Sequence, residues 1–343
     1  MKISKQFREH LNNINIVSKH FKNIFGIVLI SALLLTSCTK NDDNDGDILI
    51  RPTAEDFNKI KEAALENLTQ TFQFNTDDGN IMLTSEKGVQ IFISSSCLTL
   101  NGEAVTGTVD VEFVELFDKG SMLTTNKPTM GMLPNGDKGL LISGGEFFVD
   151  ATQNGVSLET TCGFQMQIPA DLTGGVDNDM TLWEGVIDQD GNLAWDEVER
   201  DGAQGEGGVF GEGNQYYGFF QSFGWSNVDR FYNDPRPKTT ILVAVPEGYD
   251  NTNSAVYISY DGEDAGLANL DTYDSETGLF SEHYGLIPIG LECHIIFATE
   301  DGENWKYAIK AVTITENGVV TFTEGDTSIA TEAQLTTIIN GLP

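Results

Sequence analysis

Two periods of hydrophobic positions divide the chain. After residue 52, apolar residues first recur at spacings of three and four, which is the period of an α-helix that packs along one face. These residues would form one apolar stripe on the helix: Phe57, Ile60, Ala64, Leu68 and Phe72. Thr53 followed by Asp56 is a capping-box pattern, so we expect the helix to begin after Thr53. From Phe74 onward the period changes to two, which predicts strands.

The strands of period two carry one apolar and one polar face. Val109, Val111 and Phe113 alternate with acidic residues, and the same pattern recurs with glutamines at Phe164, Met166 and Ile168. Such alternation is typical of antiparallel sheets. Turn signals separate the strands: Asn101-Gly102, Asn135-Gly136, Asn154-Gly155, Asp190-Gly191, Asp261-Gly262, Asp301-Gly302 and Asn317-Gly318. The pattern predicts a mainly β protein with an N-terminal helix, two antiparallel β-sandwich-like domains and a short C-terminal helix from Thr331 to Gly341.

A glycine-rich segment suggests where the two domains meet. Residues 201–213 contain too many glycines for a stable strand and are interpreted as a linker or loop. The prediction is a first domain at 53–200, with the helix and one β-sandwich, and a second β domain at 214–343. Trp183 and Trp195 flank the predicted hairpin at Asp190-Gly191 and are expected to pair across it.

The N-terminus has the pattern of an export signal. Five basic residues precede an apolar run of about 12 residues that ends at Leu35, whereas a spanning helix needs about 20. Leu35-Thr36-Ser37-Cys38 resembles the lipobox of bacterial lipoproteins. The resemblance implies removal of a signal peptide at 1–37 and lipidation of Cys38, with the membrane as a partner through that lipid anchor.

Residues 38–52 form an acidic segment, predicted to be a solvated tether. A lysine and then acids just after the lipidated cysteine resemble the surface-export signal of lipoproteins from Bacteroidota. The resemblance implies an outer-membrane protein that faces the cell exterior; the alternative is a protein that faces the periplasm.

Net charge limits the partners. The chain carries 19 basic and 52 acidic residues. Residues 1–37 hold five of the bases and one acid, so the mature protein has a formal charge of −37. Such a surface repels nucleic acid, and we expect no nucleic-acid partner. There is no CxxC pair, and we expect no metal and no cofactor.

Three cysteines remain once Cys38 is lipidated. Cys97 and Cys162 lie in the same predicted domain and are candidates for a disulfide in an oxidising compartment. The alternative is that these two and Cys293 are buried thiols.

One segment resembles a known domain. A strand at residues 88–93 precedes a second at 107–115 and a third at 144–149, and Ile168-Pro169 closes the unit. This order resembles the β-sandwich domain of ankyrins and netrin receptors, over about residues 88–170. The resemblance implies a domain that mediates protein contacts and has no active site.

The segment 215–232 holds eight aromatics among eighteen residues. If rings face solvent, they suit stacking on a sugar or on a partner's side chains, and the candidate ligand-binding residues are Tyr217, Trp225, Asn227, Asp229 and Arg230. Asp229 and Arg230 are expected to pair at the end of the strand. The alternative is that the rings form core.

No catalytic constellation stands out. Only His283 and His294 follow the signal peptide, and Ser222 lacks the leading glycine of a nucleophile elbow and does not precede an evident helix. We therefore predict a non-catalytic module that binds an extracellular or periplasmic protein or glycan, or serves a structural role in the envelope. The alternative is an extracellular hydrolase that uses carboxylates or a metal.

Overall fold

The computed structural model describes residues 51–187, 193–198 and 207–343. The predicted signal peptide, Cys38, the tether up to residue 50, the Asp190-Gly191 turn and residues 201–206 lie outside the described residues. In the described part, no helix is long and apolar enough to cross a membrane.

Helices begin where side chains cap them. The described residues form three α-helices, α1 (Ala54–Leu68), α2 (Lys119–Thr124) and α3 (Glu332–Asn340). Thr53 Oγ1 accepts a hydrogen bond from the Asp56 N–H (3.2 Å), and the Asp56 carboxylate accepts one from the Thr53 N–H (3.0 Å). Thr331 and Gln334 form the same box ahead of α3, and Gly341 caps the C-terminal end of that helix. These boxes satisfy N–H groups that a helix leaves unpaired.

Strands dominate the rest, which confirms a mainly β protein. Up to residue 232 the structure has β1 (Gln70–Asn75), β2 (Asn80–Thr84), β3 (Gln90–Ser94), β4 (Leu98–Leu100), β5 (Glu103–Ala104), β6 (Thr108–Leu116), β7 (Met130–Met132), β8 (Lys138–Gln153), β9 (Val156–Ser157), β10 (Glu159–Thr160), β11 (Phe164–Pro169), β12 (Thr181–Ile187), β13 (Leu193–Glu197), β14 (Gly208–Glu212), β15 (Gln215–Phe220) and β16 (Gly224–Phe231).

The remaining strands lie after residue 237. They are β17 (Lys238–Ala244), β18 (Ser254–Tyr260), β19 (Ala268–Asn269), β20 (Thr272–Asp274), β21 (Leu279–Pro288), β22 (Glu292–Asp301), β23 (Asn304–Thr313), β24 (Gly318–Thr321) and β25 (Ser328–Ala330).

The strands form five sheets. An eight-stranded sheet has the order β1-β6-β8-β16-β12-β13-β7 with β9 beside β8, and a five-stranded sheet has the order β14-β15-β11-β3-β2. A small sheet is β10-β4-β5, and the later strands form β20-β21-β17-β24 and β19-β18-β22-β23-β25. Pairing is mostly antiparallel, but β13 with β7 and β17 with β24 are parallel.

The glycine-rich segment does not separate the sheets. Residues 208–212 of this segment form strand β14 rather than a loop. Strands β15 and β16 follow it, yet β15 pairs with β11 and β16 pairs with β8 and β12. Residues 208–231 therefore complete the sheets of the first half, and the sheets of the second half begin at Lys238. Residues 52–343 form one compact unit. The boundary predicted at 201–213 is thus not where the sheets change.

Buried apolar residues form two clusters. In the first, Phe113 and Phe147 of the eight-stranded sheet lie with Ile91 and Met166 of the five-stranded sheet. In the second, three tryptophans of the eight-stranded sheet lie with residues of all three helices and of β22 and β23: Trp183, Trp195, Trp225, Phe57, Leu123, Leu335, Ile296 and Trp305. The eight-stranded sheet is therefore buried on both faces.

The predicted tryptophan pair is displaced. In the ladder between β12 and β13, Trp183 is opposite Glu197 and Trp195 is opposite Gly185. The two rings are thus diagonal neighbours. Instead, Trp195 contacts Trp225 edge to face at 6.4 Å, and Trp183 contacts Phe231 at 5.1 Å.

A disulfide joins Cys97 and Cys162, whose Cα atoms are 5.7 Å apart. It links the turn after β3 to the turn before β11. Cys293 is a buried free thiol.

Candidate functional site

The aromatic segment 215–232 is divided between two sheets. Its first strand, β15, lies in the five-stranded sheet, and its second, β16, lies in the eight-stranded sheet. Trp225 is only 8% exposed and belongs to the second hydrophobic cluster. Asn227 and Asp229 are fully buried. The five predicted ligand-binding residues are therefore not brought together in one site, and for Trp225 the core interpretation applies.

Tyr217 lies on the outward face of the five-stranded sheet. On this face, residues paired between neighbouring strands form two rows that cross all five strands. One row is Phe210, Tyr217, Gln167, Gln90 and Thr84, and the other is Gly208, Phe219, Gln165, Phe92 and Met82. The alternate residues of the same strands point into the core. We call these ten positions the outer aromatic face.

Three rings of this face form a stack at one edge of the sheet. The Phe210 ring lies 5.2 Å from the Tyr217 ring with planes 14° apart, and 6.1 Å from the Phe219 ring with planes 19° apart. Phe210 is on β14, the edge strand, and is 49% exposed. Neighbouring rings cover one side of Phe210, and among the described residues no strand of the sheet lies beyond it. The stack therefore presents an open ring surface.

Amide side chains accompany the rings. Gln165 and Gln167 make no side-chain hydrogen bond to other described residues, so their donors and acceptors are available to a ligand. Each of the ten positions holds an uncharged residue. A shallow depression of about 460 Å³ adjoins Met82, Phe92 and Phe219 at one end of the face.

The opposite end of the aromatic segment supplies a buried polar cluster. Asn227 Nδ2 donates to Asp229 Oδ2 (2.6 Å), and Ser143 Oγ donates to Asn227 Oδ1 (2.9 Å). Glu146 lies opposite Asn227 in the ladder between β8 and β16. Neither oxygen of Glu146 has a hydrogen-bond partner among the described residues, and Asp229 Oδ1 has none either. Buried unpaired carboxylate oxygens are costly.

The backbone beside this cluster is irregular. The ladder between β8 and β16 shifts register between Asn227 and Asp229. Gly145 has a φ of +133°, and a Cβ there would lie 2.6 Å from the Phe147 ring. Only glycine fits such a position without strain. Two steps from Asn227 to Asp229 oppose three steps from Glu146 to Ser143, so the extra residue of this bulge lies in β8.

Burial perturbs the acids and bases of the cluster. Burial is the main cause that raises the pKa of Glu146 well above its ordinary value, and the neighbouring Asp229 adds to the increase. The pKa of Asp229 is also raised by burial. Burial lowers the pKa of Lys127 to about 8. Its ammonium lies 5.4 Å from the centre of the Trp225 ring.

We expect Glu146→Gln to raise the free energy of unfolding by about 1–2 kcal/mol at pH 7, because a buried acid is replaced by a neutral group of the same shape. The raised pKa means that the folded state keeps a proton that the unfolded state has lost. Wild-type stability attributable to Glu146 therefore falls as pH rises above the ordinary carboxyl pKa. Urea unfolding at pH 5, 6 and 7 should show the advantage of the variant shrinking toward pH 5. Parallel pH profiles would contradict this assignment.

Arg230 lies apart from the buried cluster. Its Nε donates to Asp177 Oδ2 (2.6 Å), so the pairing with Asp229 predicted from the sequence is wrong. Arg230 and Asp177 line a cleft of about 550 Å³ between β16 and strands of the second half. Glu282, also in the cleft wall, accepts hydrogen bonds from the N–H groups of Gly285 and Leu286 (3.1 Å each). Burial raises the pKa of Glu282 to about 7.

The histidines have ordinary partners. His283 Nδ1 is 2.8 Å from Thr272 Oγ1, and His294 Nδ1 is 2.8 Å from Asp261 Oδ1. Within the described ranges, no group of three or more His, Cys, Asp or Glu side chains has the arrangement of a metal site.

Sequence reasoning missed most of the outer aromatic face. Phe210, Phe92 and Met82 come from three strands far apart in the chain, and only the register of the sheet aligns them with Tyr217. The available signal was the alternation of β11, which places Gln165 and Gln167 opposite the buried face.

No protein-family model matches the chain, and no curated protein matches it.

Proposed function

We propose that this chain is a lipid-anchored outer-membrane lipoprotein, displayed at the cell exterior, that acts as a non-catalytic binding module for a protein or a glycan. Cys38 would carry the lipid, and residues 38–52 would tether the compact unit above the membrane. Within that unit, we propose that the sheets stack as β-sandwiches, since the eight-stranded and five-stranded sheets share one hydrophobic cluster.

The observation that carries the proposal is the outer aromatic face. It combines a ring stack that ends in an open surface with glutamine amides that make no side-chain hydrogen bond to other described residues, on regular strands that hold them rigidly. Exposed aromatic and methionine side chains are enriched where proteins bind partners. Sites built on sheets are also more precise than sites on loops.

Attachment and display are tested together in cells that make the full chain. We expect wild type in the membrane fraction, because two or more acyl chains anchor a protein firmly. We expect Cys38→Ala in the soluble fraction, because the variant would carry no acyl chain. External protease should digest the wild-type protein on intact cells. Protection until the outer membrane is opened would contradict display and support the periplasm-facing alternative. Membrane retention of Cys38→Ala would contradict the lipid anchor.

The second candidate function is carboxylate-dependent hydrolysis in the cleft. The observation that favours it is Glu282, a buried acid whose pKa of about 7 suits proton transfer near neutral pH. If the cleft is catalytic, turnover of a polysaccharide or peptide substrate should fall by about a hundredfold or more in Glu282→Gln. Our proposal expects no turnover by the wild-type protein, with or without added divalent metal.

A further inference from the structure

We propose that the occupant of the outer aromatic face is an extended, uncharged glycan chain. The inference rests on the proposed binding function and specifies its ligand. Three properties of the face lead to it: its size, its lack of charge, and the pairing of ring surfaces with amides.

The face is too small for an ordinary protein interface. Neighbouring strands lie about 4.8 Å apart and alternate residues of one strand about 6.8 Å apart, so two rows across five strands cover on the order of 300 Å². A stable protein complex buries about 800 Å² on each partner. A strip that is longer across the strands than along them fits a linear chain better than a globular surface.

The absence of charge on the face indicates an uncharged ligand. The whole chain has 52 acidic residues, yet the ten positions of the outer aromatic face hold none. Glu212, at the end of β14, is a charged residue just outside the two rows. A cationic partner would find its counter-charges elsewhere on the surface, and an anionic partner would be repelled by the surroundings. A ligand that prefers this face gains nothing from ionic contacts.

Rings and amides together match the two kinds of surface on a sugar. A pyranose presents C–H groups on its faces, which pack against the electron-rich surface of an aromatic ring. Its hydroxyls around the rim need both donors and acceptors, and a glutamine amide supplies both. Phe210 and Tyr217 offer the ring surface in one row, and Gln167 and Gln90 continue that row across the sheet. A sugar chain laid along the row meets rings first and amides next.

Binding is tested with the mature protein without lipid, residues 39–343, against soluble starch, β-glucan, xylan and galactomannan, with polygalacturonate as the charged probe. We expect binding to at least one neutral polysaccharide, and affinity about tenfold or more weaker in Phe210→Ala/Tyr217→Ala. Affinity should be unchanged when salt is raised from about 50 mM to about 500 mM, because screening acts only on charges.

A matched control uses exposed apolar residues of other sheets. Val319 and Ile329 are each 59% exposed, on β24 and β25, so Val319→Ala/Ile329→Ala removes exposed apolar surface away from the face and should leave glycan binding unchanged. The thermal transitions of both double variants should stay close to that of wild type, since no core side chain changes. Equal loss of binding in both variants would overturn the inference.

The failure of the glycan inference is distinguishable from failure of the proposed function. If no neutral polysaccharide binds, or if only polygalacturonate binds and salt abolishes the interaction, the glycan inference is wrong. The binding function survives that result if an extracellular protein is retained by wild type and lost by Phe210→Ala/Tyr217→Ala. If neither class of ligand depends on these residues, both proposals fail.

Discussion

Trp225→Ala is expected to lower the free energy of unfolding by about 3–5 kcal/mol, the range for removal of a large buried aromatic side chain. Trp225 is 8% exposed, and its ring contacts Phe148 at 5.3 Å and Trp195 at 6.4 Å. The substitution would leave a cavity between the eight-stranded sheet and the helices that cover it. Urea unfolding at pH 7 measures the loss.

Phe219→Ala is the matched comparison for Trp225→Ala. Phe219 lies in the same aromatic segment but is 37% exposed on the outer aromatic face. We expect its removal to cost about 1–2 kcal/mol of stability, less than the loss at Trp225 because over a third of Phe219 is already exposed, while glycan affinity falls. The opposite outcome, with unchanged stability and lost binding in Trp225→Ala, would return Trp225 to the ligand site.

Local alternation is the part of the fold that the sequence could predict. In β6, Val109, Val111 and Phe113 are fully buried while Asp110 and Glu112 are exposed, as their period of two predicted. Asn101-Gly102 and Asn154-Gly155 take positive φ at both residues and form turns. Such features depend on neighbours in the chain, so single-sequence reasoning can find them.

The candidate site depends on how the strands of the five-stranded sheet pair with one another. Local sequence patterns do not reveal this register. Tyr217 and Trp225 are eight residues apart, and one short turn between β15 and β16 sends them into different sheets. Phe210 becomes the neighbour of Tyr217 only because β14 pairs with β15 in the observed register. A shift by one residue would have pointed all of these rings inward.

The position of β16 could not be predicted from the sequence for a related reason. A glycine-rich stretch marks a break in regular structure, but it does not say which strands pair afterwards. Here β16 pairs with β8 on one side and β12 on the other. Its buried residues Asn227 and Asp229 therefore belong to the eight-stranded sheet, whose other strands all precede the glycine-rich segment. Among the described residues, both oxygens of Glu146 and Asp229 Oδ1 have no hydrogen-bond partner. Their burial depends on the same long-range pairing, so no local sequence pattern predicts it.

Removing the disulfide with Cys97→Ser/Cys162→Ser is expected to lower the free energy of unfolding by about 4 kcal/mol. The two cysteines are 65 residues apart in sequence, and a crosslink that closes a loop of this size removes much of the freedom of the unfolded chain. The measurement is urea unfolding of the soluble unit, with and without dithiothreitol. We expect reductant to weaken the wild-type protein by a similar amount and to leave the double variant unchanged.

The disulfide experiment also bears on where the protein folds. Such bonds persist in oxidising compartments and are rare where thiols are kept reduced. Full-length protein recovered from cells with its thiols blocked at lysis should therefore contain the Cys97–Cys162 bond if the chain is exported, whereas a chain made without residues 1–37 should contain both free thiols. Because Cys162 borders the depression beside Phe219, loss of the bond should also weaken glycan binding more than Val319→Ala/Ile329→Ala does. Equal stability of the oxidised and reduced protein would contradict the loop-entropy argument, and free thiols in the exported chain would contradict folding in an oxidising compartment.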